Sequence, residues 1–272
     1  MKMYNLEPLM YNLTIENGGV LEMITVSEKQ PNGLPVLEVI DENLMNDKLP
    51  LIIFYHGWTN CKEVVLTQGY ELAKKGYRVL LPEALYHGVR AEGEVREHVL
   101  SFWEIIFKSV TEFPQLVDFY QKKDLIKDDQ IGVGGFSMGG ITTCMLMAAY
   151  PQITGGVVIS GTPHPVEFAQ TLLQALPADD RLTPEFIDQQ LSGVAAYDLT
   201  LHPEKLAGRP LHFWHGDADD QVPCEMTQEF CAAAPKQVET QKVSLHLSAG
   251  AQHKLSYAVT EEMVQNFQQY LK

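Results

Sequence analysis

The stretch Gln130-Ile131-Gly132-Val133-Gly134-Gly135-Phe136-Ser137-Met138-Gly139-Gly140 decides how the rest of the 272-residue chain is read. Residues 130–134 form a short apolar run of strand length, and residues 138–150 form a candidate helix. Ser137 therefore falls at a strand-to-helix turn, with Gly135 and Gly139 two positions to either side in a GxSxG pattern. A serine held in such a place sits in a strained turn. Side chains two before and two after it would collide with the neighbouring strand and helix, which is why glycine is needed there.

Outward from this turn the same alternation repeats. Short, nearly all-apolar runs at 51–55, 78–81, 155–159, 210–214 and 242–247 read as strands buried on both faces. Candidate helices lie between them at 62–75, about 98–122, 225–234 and 256–270. In the second of these, Phe102, Ile105, Ile106, Phe113 and Leu116 recur at helical spacing, so they and Trp103 read as core. Before residue 50, alternation over 20–26 and a second run over 35–40 flank Gln30-Pro31-Asn32-Gly33 and predict antiparallel strands with one wet face. The pattern is α/β: a mostly parallel eight-stranded sheet with helices on both faces. Chemistry in such sheets gathers outside the carboxyl ends of the strands. One connection, 162–209, is too long for a simple crossover. Phe168, Leu172, Leu173 and Leu176 share a helical face, and Phe186, Ile187 and Leu191 follow Pro184, so this insertion is expected to form two or three short helices of a lid. Without a repeat or a linker, 1–272 reads as a single domain carrying that lid.

A serine hydroxyl needs a base within hydrogen-bond reach and an acid to hold that base, and on this scaffold they follow the serine as acid, then histidine. Both follow in order. The run 210–214 leads into His215-Gly216-Asp217-Ala218-Asp219-Asp220, and 242–247 leads into Ala249-Gly250-Ala251-Gln252-His253. Spacing alone leaves Asp217, Asp219 and Asp220 as competing acids, whereas His253 stands between the last strand and the last helix. Two backbone N–H groups must also face the oxyanion of a tetrahedral intermediate. Met138, at a helix N-terminus, supplies one. The turn His56-Gly57-Trp58-Thr59 after the first parallel strand supplies the other through Trp58. The substrate pocket is expected from His56, Trp58, Phe168, Leu172, Phe186 and Leu191.

Composition narrows the rest. With 35 Asp and Glu against 20 Lys and Arg, the net charge of -15 repels phosphate backbones, and no basic stripe interleaves with aromatics. Nucleic acid and anionic membranes are therefore not expected partners. Neither HExxH nor a glycine-rich phosphate loop occurs, so no metal and no cofactor is expected. Four cysteines without CxxC spacing read as idle thiols of a reducing compartment. Residues 1–20 lack the pattern of a signal peptide, Asn12-Leu13-Thr14 is a chance glycosylation match, and the apolar runs are too short to span a bilayer. A cytoplasmic location is expected. Nothing in the sequence indicates the oligomeric state.

With these residues placed, the chain from about residue 51 onward resembles an α/β-hydrolase. It is most similar to small bacterial carboxylesterases of the dienelactone-hydrolase-like and prolyl-oligopeptidase-like branch. Phe54-Tyr55-His56-Gly57, Leu81-Pro82-Glu83-Ala84 with His87-Gly88, Phe102-Trp103, the Ser137 turn, and Arg209-Pro210-Leu211 leading to Phe213-Trp214-His215-Gly216 carry the likeness. The resemblance implies that the acid is the fourth residue after the histidine of the His-Gly pair, Asp219, and it places the oxyanion donors at Trp58 and Met138. Relatives usually carry Asp where this chain has Glu83, a conservative difference that leaves the triad alone. Position 137 is not the cysteine of dienelactone hydrolases proper. The implied activity is hydrolysis of a small-molecule carboxylic ester by Ser137, Asp219 and His253, without metal or organic cofactor. Thioester or small-peptide hydrolysis is the rival within enzymes, and a ligand-binding protein is the rival outside them.

Overall fold

The computed structural model describes residues 23–176, 179–237 and 242–272. The expected beginning of the first strand, at 20–22, and the expectations for residues 1–20 lie outside the described residues. Among the described residues eight strands occur in chain order: β1 (Ile24–Lys29), β2 (Val36–Asp41), β3 (Leu49–Tyr55), β4 (Arg78–Pro82), β5 (Ile126–Phe136), β6 (Gly155–Ile159), β7 (Leu211–Gly216) and β8 (Val243–Ser248). They form one sheet in the order β1-β2-β4-β3-β5-β6-β7-β8. The pairs β1/β2 and β2/β4 are antiparallel, and every other pair is parallel.

Alternation along each strand sends successive side chains to opposite faces, and each face has its own core. From β3, Leu51, Ile53 and Tyr55 join the core beneath α2 (Phe102–Gln121) and α3 (Met138–Ala149). Ile52 and Phe54 join the opposite core, beneath α1 (Leu66–Ala73) and the C-terminal helix. The expected wet face of the N-terminal hairpin holds only for β1. In β2, Val36 to Ile40 are all buried, because that strand lies inside the sheet between β1 and β4. Glu38 tolerates this position because Arg78 Nη1 donates to it at 2.6 Å, so its charge is matched as burial requires.

Between β6 and β7 lie α4 (Pro165–Ala175), α5 (Pro184–Ala195) and a 3₁₀ turn at Pro203–Leu206. Prolines at the first helical position start both helices, and Thr183 caps the second by accepting from Phe186 N–H at 3.2 Å. The chain closes with α6 (Cys224–Gln237) and α7 (Tyr257–Tyr270). Among the described residues no helix is long and apolar enough to cross a membrane.

Candidate active site

Ser137 stands between β5 and α3 with φ of 57° and ψ of -118°, a left-handed backbone that side chains rarely adopt. Its neighbours make that backbone possible. A Cβ on Gly135 would lie 2.3 Å from the backbone of Gly139, and one on Gly139 would lie 2.2 Å from the carbonyl oxygen of Tyr55. The Ser137 N–H donates to Ile159 O at 2.9 Å, which fastens the turn to β6.

The topology delivers the other two groups to the same rim. Asp219 follows β7 and His253 follows β8, the next strand outward. His253 Nε2 lies 2.8 Å from Ser137 Oγ, and His253 Nδ1 lies 2.7 Å from Asp219 Oδ2. These distances fit Ser137 donating to Nε2 while Nδ1–H donates to the carboxylate. Phe136 lies against the imidazole with its ring centroid 4.9 Å away.

Of the three acids left open by spacing, only Asp219 turns inward. Its Oδ1 accepts from the backbone N–H of Gln221 at 2.9 Å and of Val222 at 3.0 Å. Asp217 instead accepts from Gly250 N–H at 2.6 Å on the exposed side of the turn, and Asp220 is exposed. Burial alone would raise the Asp219 carboxyl, but hydrogen bonds from His215, His253 and those two amides hold it far below the usual carboxylate range. His215 was not foreseen in this role. Its Nε2 donates to Val222 O at 2.9 Å and lies 3.3 Å from Asp219 Oδ2, so two imidazoles flank one carboxylate.

Ser137 opens on a cavity of about 220 Å³ walled by Trp58, Met138, Phe168, Leu172 and Val222. Of the expected pocket residues, Trp58, Phe168 and Leu172 line it. Phe186 lines a separate space of about 30 Å³ behind Leu172. Leu191 touches neither and packs on the core. His56 lies outside the cavity as well. It is buried under the turn after β3, where its ring nitrogens bond to Gly57 O and Ala84 N–H. Sequence reading missed Ile141, Val99, Gln221 and Val222 as lining residues, and Phe102, read as core, also faces the cavity.

Among the described residues no charged side chain lines the cavity, and all four cysteines are free. Among the described residues no group of three or more His, Cys, Asp or Glu is arranged to hold a metal ion.

This geometry can be set beside known proteins. The chain is 36% identical over 255 residues to YitV of Bacillus subtilis (strain 168), whose name marks it as a candidate esterase, with 92% of this chain and all of that protein covered. It is 28% identical over 249 residues to the esterase YjfP of Escherichia coli (strain K12), again covering 92% of this chain and all of that protein. Among solved structures, TT1662 from Thermus thermophilus superposes with a TM-score of 0.70 at 18% identity, over 91% of this chain and 98% of that one, a likeness of fold. The model of the alpha/beta hydrolase fold family matches residues 50–239, and on that match and the B. subtilis relative the chain belongs to this family.

Proposed function

We propose that the protein is a metal-independent serine hydrolase of carboxylic esters. The observation that carries this reading is the unbroken chain of contacts from Ser137 Oγ to His253 to Asp219, at 2.8 and 2.7 Å. The esterase names of two full-length relatives support the choice of ester over other acyl substrates.

In this mechanism His253 takes the Ser137 proton as Oγ attacks the ester carbonyl, and Asp219 holds the imidazole in the tautomer that leaves Nε2 free to accept. The N–H groups of Trp58 and Met138 stabilise the tetrahedral oxyanion; losing one such donor typically raises the barrier by about 3 to 4 kcal/mol. Met138 begins α3, so the helix dipole adds to its share. His253 then protonates the leaving alcohol, and water, deprotonated by the same imidazole, releases the acyl group from Ser137. The insertion over 162–209 acts as the lid, with Phe168 and Leu172 of α4 forming one wall of the acyl cavity. The proposed substrate is a small neutral ester, and the proposed place of action is the cytoplasm.

The test is hydrolysis of p-nitrophenyl esters from acetate to dodecanoate by the wild-type protein and by Ser137→Ala. Turnover should vanish in the variant, and a fluorophosphonate should label only the wild type, at Ser137. Equal turnover by both proteins would remove Ser137 as the nucleophile.

A further inference from the structure

A peptide group is planar, so the carbonyl of Gly57 and the N–H of Trp58 move as one rigid unit. Whatever grips Gly57 O aims the Trp58 N–H. Two donors grip it: His56 Nδ1 at 2.9 Å and the Asn60 N–H at 3.2 Å. The turn they hold is strained, since Thr59 has φ of 62°, and it is tightly placed, since a Cβ on Gly57 would come within 3.3 Å of Ser137 Cβ.

His56 is itself anchored from behind. Its Nε2 accepts from Ala84 N–H at 3.1 Å, and Glu83 Oε1 lies 3.4 Å away. Glu83 is wholly buried at the end of β4. One oxygen accepts from Lys62 N–H at 3.0 Å, and the other accepts from Lys62 Nζ at 3.0 Å and Val89 N–H at 3.3 Å. A Cβ on Gly88 would lie 2.1 Å from that second oxygen, so the following loop is shaped to admit the carboxylate. Burial alone would raise this carboxyl, but hydrogen bonds from the Lys62 ammonium and backbone N–H hold it at about 2, and it is charged at any working pH. A buried anion with this many partners, touching neither Ser137 nor the cavity, is more than a wall needs. The Trp58 ring meets His87 edge-on at 5.3 Å, which ties the same turn to the loop after Glu83.

We propose that Glu83 is a positioning residue of the oxyanion turn: by pinning the end of β4 it aims the adjacent Ala84 N–H at His56 Nε2, and through His56 it fixes the Gly57–Trp58 peptide whose N–H serves the oxyanion. This rests on the reading of Ser137 as nucleophile and gives a task to a side chain that the sequence marked only as a conservative difference.

The experiment compares Glu83→Gln, Glu83→Asp and, as a control, Glu38→Gln, which breaks the buried ion pair with Arg78 at the far end of β4. kcat and KM are measured with p-nitrophenyl butanoate, affinity with an alkyl boronic acid that forms a tetrahedral adduct on Ser137, and folding by thermal melting. A misaimed donor costs less than a removed one, so Glu83→Gln should lower kcat about 10- to 100-fold. KM should stay within about threefold, and boronate affinity should fall with kcat. Glu83→Asp, which keeps the charge, should retain more activity, and Glu38→Gln should lose stability without losing kcat. If Glu83→Gln does not fold, His56→Asn against His56→Leu repeats the comparison, because the Asn amide can donate where Nδ1 does. A folded Glu83→Gln with wild-type kcat overturns the proposal, as does an equal loss of kcat in Glu38→Gln. A wild-type protein that hydrolyses no ester and takes no fluorophosphonate overturns the hydrolase reading instead.

Discussion

Replacing Asp219 by Asn removes one charge and leaves the shape. The new side-chain oxygen can still accept from Gln221 and Val222 N–H, the partners of Oδ1 at 2.9 and 3.0 Å. The amide nitrogen then stands where Oδ2 was, 2.7 Å from His253 Nδ1, and two donors cannot face each other there. His253 turns to the opposite tautomer, with its proton on Nε2, 2.8 Å from Ser137 Oγ, and it can no longer accept the serine proton. A second loss adds to this. A carboxylate and an imidazolium in this contact have charge centres about 4 Å apart, worth about 4 kcal/mol at an effective dielectric constant of 20. That alone is about a thousandfold in rate, and the wrong tautomer brings the expected fall in kcat to about 10⁴. The assay is kcat for p-nitrophenyl butanoate, with thermal melting to show that the variant folds and Asp217→Asn as the control. Asp217 is exposed and bonds to Gly250 N–H, so its variant should stay within about threefold of wild type. A folded Asp219→Asn that keeps more than a tenth of the activity, or an equal loss in Asp217→Asn, would refute this reasoning.

Two further outcomes follow from the same geometry. Burial, the largest influence, holds the His87 imidazole at about 4, below its usual range near 6.5, so the unfolded chain binds the proton first as pH falls. Stability from this residue is therefore complete above about pH 6.5 and lost down to about pH 4, by about 3 kcal/mol, and urea midpoints across that range should flatten in His87→Phe. Leu172 lines both the 220 Å³ cavity and the 30 Å³ space that Phe186 also lines, so Leu172→Ala should join them and move the best p-nitrophenyl acyl chain to longer lengths, at about fourfold in kcat/KM per added methylene. An unchanged chain-length profile would mean that α4 does not bound the acyl group.

The parallel strands and the helices between them were legible because a strand buried on both faces leaves an unbroken apolar run, and the helices beside it leave a 3.6-residue period. The same logic failed for β2, whose charged Glu38 suggests a wet face until Arg78, 40 residues away, is seen beside it. At the site, the order Ser137, Asp219, His253 was legible because each residue follows a strand and must emerge on the same rim. The pocket was not. Helical periodicity shows that Leu172 and Phe186 have an apolar side, but which cavity that side meets depends on how α4 and α5 lie over the sheet. His56 was misplaced for a related reason: a histidine beside a glycine turn near Ser137 can face the cavity or the protein, and only the Ala84 N–H and Glu83 behind it decide.

The two buried acids then stand in a relation that spacing conceals. Asp219 after β7 backs His253, and Glu83 after β4 backs His56, on opposite sides of Ser137 in the strand order. In the proposed mechanism each acid steadies an imidazole that reaches the reaction coordinate at a different point: Asp219 holds His253, which moves the serine proton, and Glu83, through the Ala84 N–H, holds His56 against the peptide that bears an oxyanion donor. Strained backbone lies beside both imidazoles, with positive φ at Ser137 and at Thr59. Turns of that kind relax unless the surroundings over-determine them. A buried, ionised carboxylate is suited to that task, because its attraction for a hydrogen-bonding partner is little screened by water. A surface acid at either position would leave the imidazole free to rotate, and the site would keep its residues while losing the alignment on which the transition state depends.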